Sequence, residues 1–322
     1  MDANIQATID YLNFVTRELN RYIPLILLTL GTIGNFTNIL VFTRPLLRRN
    51  PCSIYFISSS VVNFFALYIG LVTPFLQLYN LDPTQYIDSL CKIRFYLRFS
   101  TITLSTWLIL LACVDRYISS SANVNLRLWS SIPMTKRIVF VCSVICFVVP
   151  YTQTFYCYTV TSNHVCTYQN NVCQSLNTIM ISVLNSGLPP TLMVVFSILT
   201  VRNINYRNLA TISRHYPRRD VQLVRILLIQ VSVVVLFAVP VMIQKIYSLL
   251  TISTVKSGLT SAIQNLFNQI AVEVLYISNA TTFYIYSITS KRYRKEVGQI
   301  LSTVFNRCRC NHLNRIQPTL TS

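Results

Sequence analysis

Seven apolar runs of membrane-spanning length follow one another along this chain, near residues 22–43, 53–79, 93–114, 136–157, 178–201, 223–250 and 262–288. Polar and basic stretches separate them. A run of some 20 apolar residues makes a helix long enough to cross the roughly 30 Å hydrocarbon core of a bilayer. The pattern predicts an all-α membrane protein, a seven-transmembrane-helix bundle over 22–288. Residues 1–21 form a short segment before it and 289–322 a tail after it, which leaves no room for a separate soluble domain.

Composition agrees with that pattern. Of 322 residues, 52% are hydrophobic and only 11% charged, against about 25% charged in a soluble domain; the mean hydropathy is +0.49. The net charge of +18 suits nucleic acid or an acidic membrane surface, and its distribution selects the membrane. Seven spans put the termini on opposite sides. With the N-terminus outside, the inner loops collect Arg44, Arg48, Arg49, Arg127, Lys136, Arg137, Arg202, Arg207, Arg214, Arg218 and Arg219, and the tail adds Lys291, Arg292, Arg294, Lys295, Arg307, Arg309 and Arg315. The outer loops hold Asp2, Asp10, Glu18, Asp82 and Asp88. Basic residues inside and acids outside predict an outer N-terminus and a cytoplasmic C-terminus, and give nucleic acid no part. The first twenty residues lack the basic start and apolar core of a cleavable signal peptide. The sequons at Asn35 and Asn279 lie inside spans, out of reach of glycosylation.

Asp115-Arg116-Tyr117 closes the third run, where a membrane helix meets the cytoplasm. Charge at that depth is costly unless it has a partner or a task. Cys91 precedes Arg116 by 25 residues, about 37 Å of helix at 1.5 Å per residue, so the two stand at opposite faces of the bilayer.

These residues resemble the rhodopsin-like (class A) G-protein-coupled receptors over roughly 22–310. Gly34-Asn35 in the first span, Cys91 and Asp115-Arg116-Tyr117 in the third, Pro189-Pro190 in the fifth and Pro240 in the sixth carry the likeness. So does Asn279-Ala280-Thr281-Thr282-Phe283-Tyr284, a degenerate form of the family's Asn-Pro-x-x-Tyr in the seventh span. The basic stretch from Ser290 to Val297 looks like the family's short amphipathic eighth helix. The run from Phe283 to Ser290 and the short third cytoplasmic loop look most like invertebrate neuropeptide receptors of the FMRFamide type.

The resemblance implies a plasma-membrane receptor that binds an extracellular ligand, a peptide on the subfamily likeness, and activates a heterotrimeric G protein. It implies a disulfide from Cys91 to the loop between spans four and five. Cys166 and Cys173 are the candidates there, with Cys166 leaving more chain to reach the fifth span. Cys113, Cys142, Cys146 and Cys157 read as packing residues within spans. Cys308 and Cys310 suit palmitoylation or remain free thiols. Arg116 takes the family's switch role, held by Asp115 and, at the base of the sixth span, by Asp220, which also reads as a solvated helix-start acid. Outward swing of the sixth span would open the G-protein cavity, with Asn279 and Tyr284 in the same switch. Four positions depart from the family pattern: Asn63, Ala238, Ala280 and Phe283. Asn63 replaces the sodium-site aspartate and loses the charge that attracts the ion.

Arg94, Arg98, Lys245 and Glu273 fall where the family's ligand cavity lies. An Arg98–Glu273 bridge is expected, because a buried carboxylate needs a partner. Arg94 and Lys245 are then left for an acidic group or carbonyl oxygens on the ligand, or snorkel to the surface. The lack of lysine between Ala262 and Ser290 argues against retinal, and Arg98 argues against small cationic amines. Competing readings are a seven-helix transporter or channel, disfavoured by the lack of repeats, a membrane enzyme, and a receptor-like chemosensory protein with atypical coupling. His164, His215 and His312 have no metal-ligand spacing, so neither a metal nor a cofactor is expected, nor an enzyme.

Overall fold

The computed structural model describes residues 3–209 and 218–316, the side chains of 46, 207–209, 218–221 and 304–316 excepted. Helices dominate it: Ala3–Phe42, Pro51–Gln77, Asp88–Ser120, Ile132–Val148, a fifth composed of Asn171–Ile181, a π-helical turn Ser182–Gly187 and Leu188–Leu209, then Arg218–Leu250, Gly258–Thr289 and Lys291–Ile316. Five of them are long and apolar enough to cross a membrane: the first, second, third, fifth and sixth. The fourth has 17 residues, at the short end of the spanning range. The seventh is diluted by Gln264, Asn265, Asn268, Gln269 and Glu273.

Local chemistry sets the ends. Asn50 accepts the Cys52 amide at 3.0 Å and Pro51 takes the first helical position of the second span, the arrangement that satisfies a helix start without wasting a donor. Asn170 caps the fifth through the Cys173 amide at 2.9 Å, and Ser257 caps the seventh through Thr260 at 3.3 Å. The first helix starts at Ala3 rather than near residue 22. Residues 3–21 contain no glycine or proline to stop it, so the N-terminal segment and first span form one element.

The first helix packs on the second and seventh, the third on the second, fourth and fifth, and the sixth on the fifth and seventh. Gly31 and Gly34 let the first helix lie close to Ala280 and Phe283 of the seventh. Gly70 makes the tightest approach: a Cβ there would overlap the phenol of Tyr276. Ala280, at the position expected to hold proline, is 1% exposed against Gly31 and Gly34.

The fourth span ends at Val148, so Cys157 lies beyond it in a loop, and its reading as a packing residue is corrected. A short helix, Thr154–Cys157, leads into a hairpin of β1 (Tyr158–Val160) and β2 (Cys166–Tyr168), paired antiparallel with Tyr158 opposite Tyr168. Cys166 is bonded to Cys91 of the third span, Cα–Cα 5.8 Å. Cys157 is bonded to Cys173 at the start of the fifth, Cα–Cα 5.2 Å. Asp88 adds a third tie by accepting the Val160 amide at 3.1 Å.

Candidate functional site

Two clusters stand out, one under the hairpin and one at the opposite end around Arg116. Under the hairpin lies a cavity of about 370 Å³. Phe95, Arg98, Phe99 and Ile102 of the third span form one wall, Gln244, Lys245 and Ser248 of the sixth another, and Gln264, Asn265, Asn268, Gln269 and Val272 of the seventh a third. Tyr158, Cys166, Thr167 and Tyr168 of the hairpin line it as well. Tyr158 stacks on Phe95 with ring centroids 4.0 Å apart. Burial pushes its hydroxyl pKa well above the ordinary value, so it stays protonated.

The four expected pocket residues separate here. Arg98 lines the cavity and donates from Nε to the Tyr276 hydroxyl at 3.0 Å. Lys245 lines it too, with Nζ 3.4 Å from Asn268 Oδ1. Arg94 does not: it is 9% exposed, 3.5 Å from Asp82 Oδ2, and donates to Thr84 Oγ1 at 3.2 Å. Asp82 is itself fully buried and caps the turn at Pro83–Gln85, so the guanidinium of Arg94 is held by the loop and stands outside the cavity lining.

The expected Arg98–Glu273 bridge is not formed. Glu273 is 3% exposed and accepts from Gln269 Nε2 at 2.9 Å, one turn earlier on its own helix. Tyr276, one turn later, is pressed against Gly70 and presents its hydroxyl to Arg98. A neutral oxygen held in place has taken the position expected for the carboxylate.

At the other end Arg116 is 2% exposed. It donates to Asp115 Oδ2 from Nη2 at 2.5 Å and from Nε at 3.2 Å, and from Nη2 to Asn50 Oδ1 at 3.0 Å. Ser130 Oγ donates to Asp115 Oδ1 at 2.7 Å. The asparagine that starts the second helix therefore also holds the arginine that ends the third. Tyr117 packs on Phe196 of the fifth span, ring centroids 5.6 Å apart. The side chains of Asp220, Cys308 and Cys310 lie outside the described residues.

Tyr284, the other tyrosine expected in the switch, donates from its hydroxyl to the Leu30 carbonyl of the first helix at 3.4 Å. Tyr286 faces inward, 1% exposed, and donates to Gln230 Oε1 of the sixth span at 2.6 Å. Helical spacing could have found it: Tyr286 is two turns from Asn279 and shares its face, whereas Tyr284 does not. Between the two ends, Asn63, Ser59, Ser105, Asn279 and Thr282 line a second cavity of about 40 Å³. Asn63 Oδ1 accepts from Ser105 there. Asn279 acts through its backbone, whose carbonyl accepts from Asn35 Nδ2 at 3.2 Å.

Residues 34–282 match the family model described as 7 transmembrane receptor (rhodopsin family). The chain belongs to that family. A comparison with curated proteins gives no match. Membership makes it a multi-pass membrane protein and a seven-helix bundle, with the short fourth and polar seventh helices among the spans. The family signals from an extracellular ligand to a G protein, and its members are receptors, not enzymes. The receptor thus has a polar cavity at its hairpin end and a closed arginine cluster at the other.

Proposed function

We propose that this receptor lies in the plasma membrane with its hairpin end outside, takes a peptide into the hairpin-end cavity, and activates a heterotrimeric G protein at the Arg116 end by outward movement of the sixth span. One observation carries the ligand reading: a cavity of about 370 Å³ walled by Gln174, Gln244, Gln264, Asn265, Asn268 and Gln269, beside the rings of Phe95, Phe99, Tyr158 and Tyr168. Side-chain amides offer donor and acceptor together, which matches peptide backbone, and aromatic faces suit apolar side chains. The hairpin fastened by two disulfides supports a preformed site, which reduces the ordering cost of binding.

The switch reading rests on three ties. Arg116–Asp115 holds the third span, Arg116–Asn50 joins it to the second, and Tyr286–Gln230 joins the seventh to the sixth. Outward movement of the sixth would break the last of these and expose the arginine to the G protein. The basic loops at the Arg116 end support a cytoplasmic placement for it. The experiment is nucleotide exchange on a G protein in membranes carrying the receptor, with synthetic peptide pools as probes. Peptide-stimulated exchange that is lost when Val272→Trp fills the cavity supports the reading. Stimulation unchanged by that substitution would show that the ligand binds elsewhere. Staining of a tag before Asp2 on intact cells, with a tag after Ser322 stained only after permeabilisation, tests the orientation.

A further inference from the structure

We infer that the end of the ligand this cavity recognises is a carboxylate with an adjacent N–H, as at the free C-terminus of a peptide. The inference rests on the hairpin-end cavity being the ligand site. Arg98 and Lys245 both line that cavity, and among the described residues no aspartate or glutamate does. The nearest buried acids are otherwise engaged: Asp82 with Arg94, and Glu273 with Gln269. Arg98 donates from Nε to a neutral hydroxyl and lies 5.8 Å and 6.0 Å from the Tyr276 and Phe95 ring centroids, and its two terminal amino groups make no hydrogen bond to another described residue. Lys245 has a single long contact to an amide oxygen at 3.4 Å. Two cations in a low-dielectric enclosure repel one another and lose hydration, and an anion entering between them reverses both effects. The free fork of Arg98 fits the two oxygens of a carboxylate side by side, while Lys245 acts as a point charge.

A second observation selects among anions. Gln244 is 3% exposed and Asn185 5% exposed, and both line the same cavity. Gln244 Oε1 and Asn185 Oδ1 are buried without a hydrogen-bond partner. A buried acceptor without a donor is costly. A sulfate brings only further acceptors, and a phosphate at neutral pH brings a hydroxyl but no N–H beside its charge. The last residue of a peptide brings a carboxylate and, three bonds away, an N–H donor for these oxygens. Its side chain then faces Phe95, Phe99 and Tyr158.

The probes are N-acetyl-phenylalanine, its primary amide and phenethylamine, each at millimolar concentration, on the purified full-length receptor, read as the thermal unfolding midpoint. Bound ligand raises the midpoint by a stabilisation that grows with the logarithm of 1 + [L]/Kd. The acid should protect, the amide should bind about tenfold more weakly, the loss expected for one charge-assisted contact, and phenethylamine should not protect. Lys245→Gln and Arg98→Gln should each weaken the acid about tenfold and the amide clearly less, and Lys245→Arg should restore binding of the acid. If Arg98→Gln fails to fold because Tyr276 loses its partner, the Lys245 pair still decides. Equal or better protection by the amide or the amine overturns the inference, as does acid protection unchanged in Lys245→Gln, or no protection by the acid. Val272→Trp separates the two levels. Protection by the amide that Val272→Trp removes keeps the cavity as the ligand site and refutes only the carboxylate. Protection that persists in Val272→Trp refutes the cavity as the site.

Discussion

At one end of this receptor an arginine is held by an asparagine and by a carboxylate that itself accepts from the Ser130 hydroxyl. At the other, an arginine and a lysine share a cavity with amides and aromatic rings. Arg116 and Arg98 sit on the same helix, 18 residues apart, and the bundle treats them in opposite ways. A buried charge adds to stability only when its partners make up for lost hydration. Arg116 has such partners, so its cluster holds the helices together. Arg98 and Lys245 have no acid beside them among the described residues: Arg98 rests on the Tyr276 hydroxyl and Lys245 on Asn268. Under the proposed function, the difference separates a residue that resists movement from residues that meet a ligand.

The comparison breaks most visibly at Asp115. Asp115→Ala removes the carboxylate that pairs with buried Arg116 and should cost about 3–5 kcal/mol of stability, read as a lower unfolding midpoint and reduced expression; a change within experimental error would mean that the other contacts of Arg116 suffice. The milder Asp115→Asn should raise ligand-free nucleotide exchange about fivefold or more.

Next in size is the contact that aims Arg98. Gly70→Ala drives a methyl group into the Tyr276 ring, and overpacking of this kind costs about 1–3 kcal/mol. Tyr276→Ala empties a fully buried site and should itself cost about 3–5 kcal/mol, and adding Gly70→Ala to it should cost little more. An unaltered midpoint in Gly70→Ala alone would show that the second and seventh helices part easily.

Tyr286→Phe removes one buried hydrogen bond and leaves Gln230 without its donor, at about 1–2 kcal/mol. It should also raise basal exchange, whereas Tyr284→Phe should change neither quantity. A larger effect from Tyr284 would return the switch role to that residue.

The smallest effect is expected where the sequence alone suggested a large one. A double-mutant cycle on Arg98 and Glu273 should give a coupling below about 0.5 kcal/mol, as for residues that share no partner. Coupling of several times that size would mean that the two do meet.

The sequence made the number and order of the spans legible, because apolar runs of spanning length are a strong signal. Their ends were less so. Nothing in residues 3–21 stops a helix, and the fourth run continues as apolar loop past Val148, which is why Cys157 seemed to lie in a span. The cysteine on the third span and its partner in the loop could be narrowed to Cys166 or Cys173, but the second bridge, Cys157–Cys173, depended on where that helix ends. Partners of charges were the hardest to read. Arg94 is taken by Asp82, a loop residue twelve positions earlier, and Arg98 by a tyrosine hydroxyl whose position depends on Gly70, on a different helix. Neither follows from charge pairing along one dimension. Tyr286 was within reach, since its face follows from helical spacing alone.

The two disulfides of the hairpin have a kinetic consequence. Each strand is fastened to a different helix, β2 to the third span through Cys91–Cys166 and the start of β1 to the fifth through Cys157–Cys173. A flap hinged on one side could swing open for an arriving molecule; a plate bolted on two sides has no hinge. If this cavity is the ligand site, the side left without a covalent tie to the hairpin is that of the sixth and seventh helices, which carries Lys245, Gln264 and Asn265. The rate at which a ligand leaves would be governed by how often those two helices spread, which ties the lifetime of the bound state to the same part of the bundle that has to move when the receptor signals.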